Sequence, residues 1–182
     1  MVKLLVTESK QKVVKLGALM TRLYGPGQFK VVATLGHLRD LPSGALGIDL
    51  TNGFAPQYVL LPGKRKTLAY LRKHLKSAEA LYLAADPDRE GEAIAWHVAE
   101  LLKPSCPVYR VSFNAITEGA VRAGFAAPRR LDLNLIAAQE ARRVLDRLVG
   151  FGVSPALWSA LDDGKLSAGR VQSAALRLVV ER

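Results

Sequence analysis

The chain has 182 residues, 49% hydrophobic and 23% charged, so it is long enough to bury a core in one or two domains. Lysine and arginine total 26 against 16 acidic residues, and the formal charge of +10 favours a polyanionic partner, nucleic acid first, over a neutral small molecule. A single cysteine, Cys106, excludes an internal disulfide framework and a multi-cysteine zinc site and fits a reducing cytoplasm.

Membrane attachment has no support in the sequence. Residues 1–8 are too short for the apolar core of a signal peptide, and no window approaches the ~18 uninterrupted apolar residues of a membrane span. We also find no basic amphipathic helix with the aromatic anchors that would indicate a membrane surface. We therefore expect a soluble cytoplasmic protein. Basic charge that only aids solubility is the alternative to nucleic-acid binding.

The chain alternates between strand and helix patterns up to about residue 126. Short apolar runs predict buried strands, and amphipathic stretches predict helices. In chain order these are a strand at residues 2–7, a helix at 10–24, a strand at 29–34, a helix at 66–77, a strand at 80–84, a helix at 92–102, a strand at 108–113 and a helix at 117–125. Such alternation predicts an α/β fold with a parallel sheet covered on both faces.

Two segments depart from this alternation. Residues 39–64 are rich in glycine and proline with little periodicity, which predicts a long ordered loop of a kind that often carries function. Beyond residue 126 the pattern is helical only, with predicted helices at 133–148 and 167–181. These helices indicate a second unit.

Acidic residues follow two of the predicted strands. Glu8 ends the first strand, and the third runs directly into Asp86, Asp88 and Glu90. Because the carboxyl ends of parallel strands meet at one edge of a sheet, these carboxylates can share a Mg²⁺ ion, which prefers oxygen ligands and also binds phosphate oxygens. Arg89, between the acids, could then contact a phosphate as a bidentate donor.

Helix capping is the alternative explanation of this acidic run. Asp86 or Asp88 would accept hydrogen bonds from the first amides of the next helix, with Pro87 in its first turn and the acids favourably placed against the helix dipole. Capping does not account for Gly91, because glycine near a helix start costs roughly 1 kcal/mol relative to alanine. Close approach of the backbone to a ligand would account for it.

Two later segments carry basic or small polar residues. Arg143 and Arg147 are four residues apart and share a helix face, so they could grip one stretch of phosphodiester. The alternative is a solvated face on which Arg142 and Asp146 form an ion pair within the helix. Residues 166–173 (LSAGRVQS) place small and polar residues at a helix start, where backbone amides and an arginine form a candidate phosphate site.

Histidines occur in two informative places. His37 follows the second predicted strand, near the edge at which the acids gather, and is either a structural hydrogen-bonding group or a catalytic one. His97, inside an apolar helix beside Trp96, is assigned to packing. No nucleotide P-loop, nucleophile elbow or metalloprotease motif occurs, which excludes several enzyme classes.

Five short segments stand in a distinctive order along the chain. They are Glu8-Ser9 after a strand, TLGHLRDLP at residues 34–42, DPDREGEAIAWH at 86–97, RVLDR at 143–147 and LSAGRVQS at 166–173. In this order they resemble the successive signatures of the bacterial DNA topoisomerase I family, which is of type IA. The resemblance spans nearly the whole chain. It implies a Toprim domain over residues 1–126 and, over 127–182, the start of a helical DNA-binding domain.

The resemblance also assigns roles to individual residues. Glu8, Asp86, Asp88 and Glu90 would hold Mg²⁺ and take part in proton transfer, and Lys12 would support the scissile phosphate. The family usually has Ser-Pro-Ala-Lys after the glutamate, whereas this chain has SKQK at residues 9–12, which leaves the local turn and the choice of lysine open. A further set of positions would bind or orient single-stranded DNA near the nucleophile: His37, Arg89, Arg142, Arg143, Asp146, Arg147, Ser167, Arg170 and Gln172. Of these, His37 and Arg89 would also be catalytic.

The resemblance implies an N-terminal fragment of a larger, monomeric enzyme. In the family a tyrosine on a later domain attacks DNA and is left on a 5′-phosphate. No stretch resembling that motif contains Tyr24, Tyr58, Tyr70, Tyr82 or Tyr109. The parent would be a cytoplasmic, nucleoid-associated isomerase that relaxes negatively supercoiled DNA with Mg²⁺ and without ATP. This chain would bind DNA and Mg²⁺ without cutting.

Two other functions stay open. A non-catalytic DNA-binding module could keep the fold, and it would tolerate charge-neutralising changes at Asp86 and Asp88. Another Toprim enzyme, such as a primase or nuclease, would need Mg²⁺ but no tyrosine. The arginine-rich and LSAGRVQS segments argue against this last class, because they match the topoisomerase pattern.

Overall fold

A computed structural model describes residues 2–162, 164 and 166–182. The elements, in chain order, are β1 (Val2–Thr7), α1 (Lys10–Tyr24), β2 (Phe29–Ala33), β3 (Arg39–Asp40), β4 (Ile48–Asp49), β5 (Ala55–Pro56), β6 (Val59–Leu60), α2 (Lys64–Leu75), β7 (Ala78–Leu83), α3 (Arg89–Leu102), β8 (Val108–Arg110), α4 (Glu118–Ala126), α5 (Leu133–Leu161) and α6 (Arg170–Val180). The chain divides into two compact units: Met1–Asp40 with Val59–Gln139, and Leu41–Tyr58 with Glu140–Arg182.

The first unit contains a four-stranded parallel sheet in the order β2-β1-β7-β8. Side chains of a strand point alternately to its two faces, so β1 contributes residues to the hydrophobic core on both faces of the sheet. Leu4 and Val6 pack with residues of α2 and α3, whereas Leu5 packs with α1 and α4. The predicted α/β class, with helices on both faces of a parallel sheet, is confirmed.

Two helices of this unit begin within a few residues of the ends of central strands. Ser9 is the N-cap of α1, directly beyond β1, and Asp88 is the N-cap of α3, shortly beyond β7. Each side-chain oxygen accepts a hydrogen bond from an amide of the first turn, which satisfies a donor that the helix itself cannot. The strand ends and helix starts therefore lie together at the carboxyl edge of the sheet.

The segment predicted as a loop at residues 39–64 contains short paired strands. β3 pairs with β6 in the first unit, and β4 pairs with β5 in the second, both antiparallel. Each strand has two residues, which is too short for an alternating pattern to be visible in the sequence.

The helix predicted at 133–148 extends to Leu161 and contains Pro155. Tertiary hydrogen bonds hold this extension in the second unit: the Ala168 amide donates to Ser154 Oγ at 3.0 Å, and Trp158 Nε1 donates to the Leu166 carbonyl. These contacts are not visible in the local sequence pattern. The last helix begins at Arg170 rather than at residue 167.

Within residues 2–162, 164 and 166–182, none of the helices combines the length and apolar character that a bilayer crossing requires.

Candidate functional site

The predicted acids at the two central strand ends meet. β1 and β7 are paired with Val6 opposite Leu83, so the chain leaves the sheet at neighbouring points. The Asp86 amide donates to Glu8 Oε2 at 3.2 Å. The ammonium group of Lys12 lies between the two carboxylates and contacts both. The fold thus brings together three residues that the sequence analysis selected.

Lys12 reaches this position from the first turn of α1. Its amide donates to the N-cap Ser9 Oγ at 3.3 Å, and its side chain folds back toward Glu8, four residues earlier. The side chains of Glu8 and Lys12 are 17% and 23% exposed, whereas that of Asp86 is 51% exposed. The cluster is therefore open to solvent on the side of Asp86.

The two carboxyl groups differ in their affinity for a proton. Burial, together with a hydrogen bond to Asp86, raises the pKa of Glu8 above its ordinary value despite the nearby ammonium. The hydrogen bond from Glu8 and the contact with Lys12 lower the pKa of Asp86. Burial opposes the charge on Lys12, but its hydrogen bonds to Asp86 and Glu8 outweigh burial and raise the pKa of Lys12. Glu8 is thus the member of the pair that binds a proton more readily.

The other two predicted metal ligands have different partners. Asp88 caps α3, with its Oδ1 accepting from the Gly91 amide at 2.7 Å, so the capping alternative is confirmed for this residue. Glu90 Oε2 lies 3.2 Å from His37 Nε2 and 3.5 Å from Gln139 Nε2.

The donor chemistry at the strand ends fits Mg²⁺ as a two-carboxylate site. Mg²⁺ is usually held by one or two carboxylates, with waters and phosphate oxygens as its other ligands. Glu8 and Asp86 already converge on one cation, the ammonium of Lys12. In the described part of the chain, however, no three His, Cys, Asp or Glu side chains are grouped so as to hold a metal. The ligand roles of Asp88 and Glu90 therefore stay predictions.

His37 lies beside the acidic cluster and is backed by a second histidine. Besides its contact with Glu90, its ring centroid is 5.9 Å from that of His97. His97 is 2% exposed, which confirms its assignment to packing. Burial, and secondarily the positive charge of Arg39, lowers the pKa of His97 to about 3, so that ring stays neutral. Arg89 is exposed at the first residue of α3, and its catalytic role stays a prediction.

A buried ionic network that was not predicted from the sequence lies behind the acids. Arg110, in β8, donates from Nε to Glu92 Oε2 at 3.0 Å, and both side chains are fully buried. Arg129 forms a bidentate pair with Glu92, at 2.7 and 2.8 Å. Arg110 also donates to four backbone carbonyls, those of Leu83 (3.1 Å), Ala85 (2.8 Å), Asp86 (2.7 Å) and Val111 (2.7 Å).

This network fixes the turn that carries Asp86. Arg110 interrupts the largely apolar run VYRVSF that predicts a buried strand, and a charge inside such a run is the signal that could have identified it. The guanidinium of Arg110 satisfies carbonyls at the end of β7, where the backbone leaves the ladder. The placement of the acidic cluster thus depends on Arg110 and Arg129, which lie outside the family motifs, as well as on Glu92 within one of them.

Gly91 packs closely against the chain's own acidic turn. A Cβ at Gly91 would lie 2.2 Å from the carbonyl oxygen and 2.7 Å from the amide nitrogen of Asp86. This approach of the chain's own backbone accounts for the glycine, and a ligand near Gly91 stays a prediction. Glycine is required because the acidic turn folds back onto the first turn of α3.

In the second unit, most of the predicted DNA-binding residues line one pocket. It has a volume of about 660 Å³. Its polar lining includes Arg143, Asp146, Arg147, Ser167 and Gln172.

Ion pairs connect the remaining basic residues to this pocket. Arg170 Nε contacts Asp146 Oδ1 at 2.6 Å. Arg142 Nε lies 3.8 Å from Asp146 Oδ2. This is the ion pair within the helix that we expected if this helix face were simply solvated. Asp146 therefore joins α5 to the start of α6.

Arg147, which lines the pocket, is also fixed by hydrogen bonds to backbone carbonyls. Its guanidinium donates to the carbonyls of Pro42 at 2.7 Å and Ala45 at 3.1 Å, and it lies 5.0 Å from the ring of Phe151. Phe151 and Trp158 also line the pocket and were not selected from the sequence. Aromatic residues about one and three turns beyond an arginine pair on the same helix are the pattern that could have identified them.

Comparison with known proteins agrees with this geometry. Residues 3–116 match the Toprim domain family, and residues 130–182 match the family described as DNA topoisomerase. The sheet with its strand-end carboxylates is thus a Toprim domain. The chain belongs to the Toprim family, and its later residues match the DNA topoisomerase family, which agrees with the resemblance seen in the sequence.

A solved relative matches nearly all of the chain. Full-length topoisomerase I from Thermotoga maritima is 39% identical, with a TM-score of 0.85, over 99% of this chain. The match covers 30% of the length of that protein.

Proposed function

We propose that this chain is the Toprim-containing segment of a type IA DNA topoisomerase and contributes the Mg²⁺-binding part of the DNA-cleaving site. The observation that carries the proposal is the convergence of Glu8, Lys12 and Asp86 at the strand ends of the Toprim domain. The whole enzyme would relax negatively supercoiled DNA by cutting one strand, passing another through the gap and resealing it, without ATP.

Glu8 is the group suited to transfer a proton. Because burial and the neighbouring Asp86 raise its pKa, it holds a proton more readily than an exposed carboxyl group does. It would donate that proton to the leaving oxygen when the phosphodiester breaks and accept it again when the strand is resealed.

Asp86 and Lys12 are suited to the charged parts of the same step. Asp86, whose pKa is lowered, stays ionised and would hold the cation together with Glu8. When bound, Mg²⁺ neutralises phosphate charge and orients the reacting group. Lys12 would then turn its ammonium from the carboxylates to an oxygen of the scissile phosphate.

The pocket of the second unit would hold single-stranded DNA. Arg143 and Arg147 line it, beside the rings of Phe151 and Trp158. Guanidinium groups pair with phosphates, and aromatic rings stack with unpaired bases. DNA binding by this chain alone would be weak, salt-sensitive and without cleavage, because no tyrosine of the sequence lies in a nucleophile motif.

Metal binding is tested by isothermal titration of the chain with Mg²⁺. Glu8→Gln and Asp86→Asn each remove one carboxylate, and we expect each to weaken binding at least tenfold. Glu79→Gln, which removes an acid from the other end of the sheet, is the matched control and should change nothing. Equal binding by all three variants would exclude the strand-end site.

DNA binding is tested by fluorescence anisotropy of a labelled single strand over a range of salt concentrations. Arg143→Ala should weaken binding and reduce the slope of log K against log salt by about 0.7, the value for one lost phosphate contact. Arg122→Ala, at an exposed position of α4, is the control and should have no effect.

A denaturing gel of the chain incubated with labelled DNA and Mg²⁺ completes the test. We expect no covalent adduct. An adduct would mean that one of the five tyrosines is a nucleophile and that this chain cleaves DNA by itself.

A further inference from the structure

The sheet of the first unit has an open edge along β2, its outermost strand. The Gln28 carbonyl and the Thr34 amide both bond to β1, at 2.9 Å, so even-numbered residues face that strand. In a parallel ladder alternate residues bond to opposite sides. The N–H and C=O groups of Phe29, Val31 and Ala33 therefore point away from β1, along the edge.

A groove of about 610 Å³ follows this edge between α1 and α2. Its floor is formed by β2, including Val31. Apolar side chains on its walls are unusually exposed: Val14 by 73%, Leu35 by 44% and Tyr70 by 47%. The groove thus combines backbone groups directed along the edge with an apolar surface.

Positive charge surrounds the groove. Lys10 and Lys66 line it, and no carboxylate is found among its described lining residues. Lys30 and Lys73 lie close by. Burial is the main cause that lowers the pKa of His74, and the positive charges of these two lysines add to it. The ring of His74 is 4.5 Å from that of Tyr70 in the groove. An occupant with negative charge would be complementary.

Leu35, which lines the groove, has an unusual backbone conformation. Its φ of 60° is left-handed, a conformation that residues with a side chain rarely adopt. Lys64 Nζ supports the turn by donating to the carbonyls of Leu35 and, at 3.3 Å, Thr34. Strain of this kind concentrates at binding sites, and here it accompanies an exposed leucine in the wall of the groove.

We propose that this groove binds an extended acidic peptide of a partner protein, which adds to β2 as a further strand. The peptide backbone would bond to the outward groups of β2, alternate side chains would rest on the apolar walls, and a carboxylate would pair with Lys10 or Lys66. A nucleic acid offers negative charge but no ladder of N–H and C=O groups at strand spacing, so the edge favours a peptide.

The test uses the 182-residue chain and a fluorescein-labelled peptide of six alternating valine and glutamate residues. Anisotropy measures affinity, and ¹⁵N chemical shifts locate the site. A peptide N-methylated at each valine keeps the charge but cannot form the ladder. Lys10→Glu with Lys66→Glu reverses the charge at exposed positions, and Lys15→Glu, outside the groove on α1, is the matched control.

We expect shifts at the amides of residues 29–35, binding about tenfold weaker with the double charge reversal, and unchanged binding with Lys15→Glu. N-methylation should abolish binding. The proposal is overturned if the N-methylated peptide binds equally well or if no shifts appear at about 1 mM peptide. It is also overturned if oligothymidine of the same charge shifts these amides at lower concentration, which would identify a nucleic-acid surface.

Discussion

Replacing Glu92 by Gln should destabilise this protein severely. The carboxylate is fully buried and accepts four hydrogen bonds: one from Arg110 at 3.0 Å, two from Arg129 at 2.7 and 2.8 Å, and one from the Asp132 amide at 2.7 Å. The neutral isostere keeps the shape but leaves Arg110 as an uncompensated buried charge. Breaking a buried ion pair on one side costs about 3–5 kcal/mol, a large part of a domain's stability of about 5–15 kcal/mol.

Urea denaturation followed by circular dichroism at pH 7 measures this loss. Glu118→Gln is the control, because Glu118 pairs with Arg22 and Arg122 at the surface, where such pairs contribute about 0–1 kcal/mol. Replacing both Glu92 and Arg110 by Met should recover only part of the loss, since four carbonyls would lose their donor. A loss below about 1 kcal/mol for Glu92→Gln would refute the view that this network holds the acidic turn.

Three further predictions concern the site and its supports. Gly91→Ala should destabilise the chain by about 1–3 kcal/mol in urea titrations, because the new Cβ would lie 2.2 Å from a carbonyl oxygen, whereas Gly119→Ala, with open space in α4, should be neutral or stabilising. Burial holds the pKa of His97 at about 3 instead of 6.5, so the unfolded chain binds more protons between these values and stability is lost as the pH falls from 6.5 toward 3. The loss is about 1.4 kcal/mol per pH unit at most, and melts of His97→Leu should lack this contribution; an unchanged slope would contradict it. Lys12→Met should raise the pKa of Glu8 further, because the ammonium lowers it; a carboxyl ¹³C titration that finds no rise would show that the contact is not formed in solution.

The sequence was sufficient for the α/β class and for the position of the acidic site. Short apolar runs mark β1 and β7, and the carboxyl ends of parallel strands lie at one edge of a sheet, so the sequence placed Glu8 and Asp86 at the same edge. The pairing of β1 with β7 then brings them into contact. The family motifs added Lys12 and His37. In the structure Lys12 contacts Glu8 and Asp86, and His37 contacts Glu90.

The tertiary structure decided the features that depend on contacts between distant segments. Pairing of Glu92 with Arg110 and Arg129 joins residues that no local pattern connects, and the approach of Gly91 to its own turn is set by packing. The extension of α5 beyond residue 148 likewise depends on bonds to residues 166–168. Local propensity and periodicity determine elements and their exposed faces. Buried charge pairing and close backbone approach depend on how those elements pack, which is why only the folded chain specified them.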